Sequence, residues 1–312
     1  MRDILKSLAI CIVAVTVLAL WLGAGKPANV LGLFIVSGLA VGSLYALGGI
    51  GLVVLYRATG VLNLAAGAIG MTAVMASWQL VAWGVFQPLA WALGLVLALA
   101  LSLFYGRAIA PHMAWREPVV KAVASLGFAL ILLGLVSFLF SDDPRKFELP
   151  TDKFAVTILG LRVTVTRLIV VAAAIVIVAA ISLALNRTRM GLQMRALANN
   201  RRLSSLIGIP IIRVETMAWA ISGLLCGLTG LVRLEPAVIT FLVIPCTAAA
   251  ICGRLQSLPD VLIGGLTMGV IESLLTLSDT FKSVRPMAPF VIAALVLLTM
   301  SEGRHLTFAA ED

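Results

Sequence analysis

The chain has 312 residues and a formal net charge of +9, with 61% apolar side chains, 12% charged side chains and a mean hydropathy of +1.11. A water-soluble domain of average make-up is about 45–50% apolar and about 25% charged, so this composition excludes a soluble globule. The basic balance would suit nucleic acid, but in so apolar a chain it reads as the excess of Lys and Arg that holds loops on the cytoplasmic side of a membrane; no nucleic-acid partner is expected.

Apolar runs of spanning length fall at 4–22, 30–55, 61–83, 89–106, 122–140, 168–186, 214–232, 237–253, 259–277 and 287–301. About 20 apolar residues suffice for one helical crossing. The first run has two readings. Basic Met1–Lys6, apolar Ser7–Leu22 and small Gly23-Ala24-Gly25 fit a secretory signal; the many runs that follow favour a retained span. The run at 30–55 exceeds one straight crossing and carries Gly32, Gly38, Gly42, Gly48, Gly49 and Gly51, which permit close helix approach or a break. The run at 237–253 is short and contains Pro245, so it is read as re-entrant or broken. No polar stretch is long enough for a second domain. Residues 1–312 are therefore expected to form one all-α, polytopic transmembrane bundle of about 8–10 spans.

The loops set the orientation. The loop at 107–121 carries Arg107, His112, Arg116 and Lys121 against the single acid Glu117. The loop at 187–213 has Arg187, Arg189, Arg195, Arg201, Arg202 and Arg213 and no acid before Glu215. Between them, 141–167 mixes both signs. Basic loops inside and the mixed loop outside place Arg2, Lys6, Arg57, Arg254 and Arg304 inside as well, with both termini cytoplasmic. The expected location is a bacterial-type inner membrane, with lipid as the surrounding partner.

Chemistry of its own is not expected. The one Gly-Lys pair, Gly25-Lys26, is followed by Pro27, and Leu20 stands where a phosphate-binding loop needs its first glycine. Cys11, Cys226, Cys246 and Cys252 sit in apolar runs without metal-ligand spacing, and His112 and His305 lie in polar segments. No catalytic residue, metal site or cofactor bound by this chain is expected. Glu272 is the one acid well inside an apolar run; an intramembrane carboxylate suits ion coupling, and a buried, hydrogen-bonded structural acid is the favoured alternative.

From Thr188 the basic loop reads as one helix ended by Gly208-Ile209-Pro210. Arg195, Asn199 and Arg202 share a face at i, i+4, i+7, with Leu203, Leu206 and Ile207 nearby. Such a helix suits anionic headgroups or a groove in a cytoplasmic partner equally.

Three stretches carry a resemblance that separates these readings. They are Gly42-Ser43-Leu44-Tyr45-Ala46-Leu47 with Val61-Leu62-Asn63-Leu64-Ala65; Arg187-Thr188-Arg189-Met190-Gly191 with Arg195-Ala196 and Leu206-Ile207-Gly208-Ile209; and Gly253, Ser257-Leu258-Pro259, Ile263-Gly264-Gly265, Gly269 and Glu272. In this order, from about Leu31 to Met300, they resemble the permease subunits of branched-chain amino acid ABC importers. The resemblance implies a permease that forms the translocation path beside a second permease subunit (homodimer or heterodimer). It further implies two cytoplasmic ATPase subunits, which consume the ATP, and an extracytoplasmic solute-binding protein.

The resemblance makes the loop at about 187–213 the coupling helix. It assigns Arg195, Asn199, Arg202, Leu203, Ser204 and Gly208 to the docking patch. Ser43, Tyr45, Asn63 and Glu272 are candidates for the path, with interhelical bonding as the structural alternative for Asn63. Several positions depart from the family pattern. Asn199-Asn200 replace an acidic pair, and Arg202-Leu203-Ser204 replace Glu-Ala-Ala. Ala66 and Ala68 replace a His and an acid, and Arg254, Gln256 and Asp260 replace glycines. These departures leave open another small solute, such as urea, an amide or a simple sugar. An ion-coupled secondary transporter remains the alternative from a different class.

Overall fold

The fold is that of a computed structural model, which describes residues 27–113, 116–140, 154–158, 161–233, 242–278 and 285–299, together with residue 281 and scattered positions before residue 27. The expected first span at 4–22 and both termini lie outside the continuously described residues, as do His305 and Cys11.

Eleven helices are described. They are α1 (Ala28–Thr59), α2 (Ala66–Ala82), α3 (Gln87–Phe104), α4 (Pro118–Phe140), α5 (Val165–Arg187), α6 (Arg189–Asn199), α7 (Arg201–Leu206), α8 (Ile211–Arg233), α9 (Val243–Cys252), α10 (Leu258–Leu275) and α11 (Ala288–Thr299). Six of them, α1, α3, α4, α5, α8 and α10, are long and apolar enough to cross a membrane. Helices α2 and α9 are shorter. The ten residues of α9 rise only about 15 Å, half the hydrocarbon thickness, as the short, proline-containing run suggests.

The glycine-rich run does not break. Helix α1 continues for 32 residues, about 48 Å, and from Leu44 to Leu55 it is buried on every side. Its glycines serve approach instead. Gly38 and Gly42 face Gly265 and Gly269 of α10, four residues apart on each helix. A Cβ on Gly42 would lie 2.5 Å from the Gly265 carbonyl oxygen, and one on Gly269 would lie 2.3 Å from the Gly42 nitrogen. Among apolar helices in apolar solvent, such backbone proximity supplies much of the association energy. Ser273 of α10 adds a bond to the Phe34 carbonyl, 2.7 Å away. Around this pair stand α8, α9 and α5, and α2 packs outside them on α8, α3 and α4. Large apolar side chains on α3, α4 and α5, among them Leu93, Val96, Leu130, Ile131, Phe138 and Val176, point outward.

Two features depart from the sequence expectation. The mixed loop before α5 contains an antiparallel hairpin, β1 (Ala155–Ile158) with β2 (Leu161–Thr164), which rests on α1. Arg167, just after it, donates to the Ser37 hydroxyl. Secondly, α3 runs into a π-helical turn, Tyr105–Ile109, and then a 3-10 turn, Ala110–Met113. Tyr105 packs between Phe128 and Trp219 there, with ring centroids 5.1 and 4.7 Å away.

Candidate functional site

The basic loop forms a two-helix hairpin, and its construction is local. Thr188 ends α5 and caps α6, its hydroxyl accepting from the Gly191 amide at 3.3 Å. Gly191 is required because the chain folds back hard on α5: a Cβ there would lie 1.9 Å from the Leu185 carbonyl oxygen. The single helix expected from Thr188 to Gly208 is instead broken at Asn200, which sits in extended backbone (φ −156°, ψ 106°). Its side-chain oxygen accepts from the Leu203 amide at 2.9 Å, so it caps α7. Asn and Asp cap equally well, which explains how the departure from an acidic residue at 200 leaves the local fold intact. Gly208 then turns the chain toward α8 with φ +80°, a conformation natural to glycine.

The break changes which residues face outward together. Arg195, Asn199, Arg202, Leu203 and Gly208 are exposed, joined by Leu206 and Ile207. Ser204 is buried, on the inner side of α7, and does not belong to the exposed patch. The hairpin sits on the end of α1: Leu197 and Met194 are buried in the common core, and Arg57 lies within electrostatic reach of Arg195. Arg201 turns inward and pairs with Glu215 of α8, Nη1 to Oε1 2.6 Å. This ion pair, not foreseen in the sequence, fixes α7 to the bundle.

Beside it opens a pocket of about 410 Å³. Its walls come from the α1–α2 link (Asn63), the irregular end of α3 (Tyr105), α4 (Ser125), α7 (Arg201) and α8 (Glu215 and Trp219). Asn63 is 1% exposed, and its side-chain oxygen accepts from the Ala65 amide at 3.0 Å. The link is held to α4 by the Leu64 amide, which donates to the Ser125 hydroxyl at 3.2 Å. A second, apolar pocket of about 290 Å³ lies between α1, α2, α8 and α9. Ala66 lines it along with Gly48, Thr229 and Cys246.

The other path candidates do not gather around either pocket. Ser43 is fully buried and donates back to the Leu39 carbonyl of its own helix, 2.7 Å away. Tyr45 donates to Glu272 Oε2, and Arg285 donates from Nε to Glu272 Oε1 at 2.9 Å. Glu272 is 7% exposed, so it is a bonded acid that ties α1, α10 and the turn before α11 together. Arg254, in place of a glycine, occupies left-handed backbone at φ 53°, and Leu255 follows at φ 56°. The glycine of the resembled pattern is thus explained by backbone shape. Asp260 lies in the first turn of α10, where a negative charge suits the helix dipole. Among the described residues, no group of His, Cys, Asp and Glu is arranged to hold a metal.

Residues 34–300 match the profile of the family described as "Branched-chain amino acid transport system / permease component". The chain is 26% identical over 291 residues to the high-affinity branched-chain amino acid transport system permease protein LivH of Salmonella typhimurium, covering 86% of this chain and 92% of that one. It is 24% identical over 293 residues to BraD of Pseudomonas aeruginosa, a permease protein of the same description, covering 86% and 94%. Its fold is similar to the solved structure of a metal-chelate type ABC transporter in an inward-facing conformation, with TM-score 0.57, 16% identity and coverage of 96% and 100%. The chain therefore belongs to the branched-chain amino acid permease family and is a multi-pass inner-membrane permease of the ABC importer type.

Proposed function

We propose that this chain imports branched-chain amino acids and that the hairpin α6–α7 is the part gripped by a cytoplasmic ATPase. The carrying observation is the hairpin itself: an exposed face of Arg195, Asn199, Arg202, Leu203 and Leu206, mounted on α1 by the packing of α6 and on α8 through Arg201–Glu215. A load applied there reaches two core helices directly. The path forms beside a second permease subunit, an extracytoplasmic binding protein delivers the solute, and ATP is used by the partner ATPase subunits. The names of the relatives support the choice of solute. Both oxygens of Glu272 are engaged by Tyr45 and Arg285, which speaks against an ion-coupled carrier built on that acid.

The test is uptake of labelled leucine by proteoliposomes containing the assembled transporter. Arg202→Glu should leave the chain inserted and abolish ATP-driven uptake, since a reversed charge opposes the docking face. Normal uptake in the variant, or uptake by this chain without any ATPase, overturns the proposal. Urea or a simple sugar captured by the co-assembled binding protein in place of leucine would reassign the solute.

A further inference from the structure

Two residues lining the pocket beside α7 carry a buried neutral N–H donor with no acceptor among the described residues: Asn63 Nδ2 and Trp219 Nε1. The Asn63 orientation is fixed locally. Its oxygen is held by the Ala65 amide, so the amide nitrogen is left at the other end. A buried donor without an acceptor is costly, and two of them lining one pocket is an arrangement that an incoming acceptor relieves. The surrounding charge has a sign. Arg201 and Lys121 line the same pocket, against the one acid Glu215, which Arg201 already engages. Val61, Leu62, Ala110 and Met113 supply apolar wall. The irregular end of α3 borders it, and π-helical turns are frequent at functional sites.

We infer that this pocket is a binding site for a small aliphatic monocarboxylate, whose two oxygens accept from Asn63 Nδ2 and Trp219 Nε1 while its hydrocarbon tail lies along Leu62 and Met113. A planar group with two acceptors matches two neutral donors, and the cationic lining selects the ionised acid. Arg201 of the hairpin is part of the wall, so an occupant favours the position of α7 that completes the site. Placing the site on the cytoplasmic side rests on the coupling role proposed above. Binding to the chain does not, and is measured separately.

The experiment is calorimetric titration of the full chain purified in detergent, with three probes that share a 3-methylbutyl chain. These are 4-methylpentanoate (acid without amine), leucine (both groups) and 3-methylbutylamine (amine without acid). Saturable binding of an acid-bearing probe, with none by the amine, is expected. Tighter leucine identifies the transported solute after release; tighter 4-methylpentanoate identifies a separate intracellular acid. Asn63→Asp keeps the oxygen that accepts from Ala65 and replaces the donor with a like charge. It should weaken the acid at least about tenfold, the equivalent of one hydrogen bond to a charged group. Trp219→Phe, which removes a donor without adding charge, should weaken it by a smaller factor and stands in if Asn63→Asp fails to fold. No saturable binding of either acid, equal binding of the amine, or affinity unchanged in the folded variants overturns the inference.

Discussion

The glycine seam between α1 and α10 makes a quantitative prediction. Gly269→Ala would place a methyl group 2.3 Å from the Gly42 nitrogen and 2.4 Å from the Gly38 oxygen and the Gly42 Cα. All three are backbone atoms, so no side chain can swing aside. Ordinary contact begins at 3.4 Å, so the helices must separate by roughly 1 Å, a gap that forfeits up to about half of each affected atom pair's dispersion attraction. Overpacking of this kind costs about 1–3 kcal/mol. On the scale of domains of 150–250 residues, each kcal/mol lowers the melting temperature by roughly 2–4 °C. The assay is thermal unfolding of the detergent-purified chain. Gly51→Ala is the internal control, because its methyl group would meet the Leu225 side chain at 3.3 Å and the Ser222 carbonyl oxygen at an ordinary 3.6 Å, with nothing closer. Gly269→Ala should melt several degrees below wild type and clearly below Gly51→Ala. Equal melting of the two variants would refute the claim that backbone proximity at this seam holds the bundle.

Three further outcomes follow. Arg254→Gly should stabilise the chain by about 1 kcal/mol in the same assay, by releasing a side-chain-bearing residue from left-handed backbone; no gain would mean the turn carries no strain. Glu272→Gln keeps an acceptor for Tyr45 but leaves Arg285 without its counter-charge. Because the Arg285 side chain is 37% exposed, the loss should be about 1–3 kcal/mol, below the cost for a fully buried pair. Gly208→Pro demands φ near −65° where the chain has +80°, and removes the amide that donates to the Ser205 carbonyl at 3.1 Å. It should leave membrane insertion intact while lowering leucine uptake at least tenfold in proteoliposomes.

The sequence made the bundle legible because each span needs only a long apolar run, and length alone identifies α1, α3, α4, α5, α8 and α10. The hairpin was legible in part. Thr188, Gly191 and Gly208 are local signals, and each acts on a neighbour within a few residues. The break at Asn200 was missed because Arg195, Asn199 and Arg202 keep helical spacing through it. The capping oxygen of Asn200, three residues before Leu203, was the signal available. The bonds of Glu272 were not legible. Tyr45 lies 227 positions away, and hydropathy carries no information about which spans pair. Ser43 was proposed for the path from its motif, yet a serine in an apolar helix satisfies itself on the carbonyl four residues earlier. The β-hairpin did leave a trace in β-branched Val156, Thr157, Ile158, Val163 and Thr164, obscured by the mixed charge around it.

One consequence of α1 concerns mechanics. The hairpin β1–β2 rests near its beginning, where Arg167 holds Ser37, and the arginine-bearing hairpin α6–α7 seats at its far end near Arg57. A single uninterrupted helix thus joins the two hairpins. Moving as one piece, such a helix turns a tilt imposed at one end into an opposite swing at the other. Under the function proposed above, docking of a delivery protein at one end and nucleotide-driven closure at the other would be two hands on the same beam.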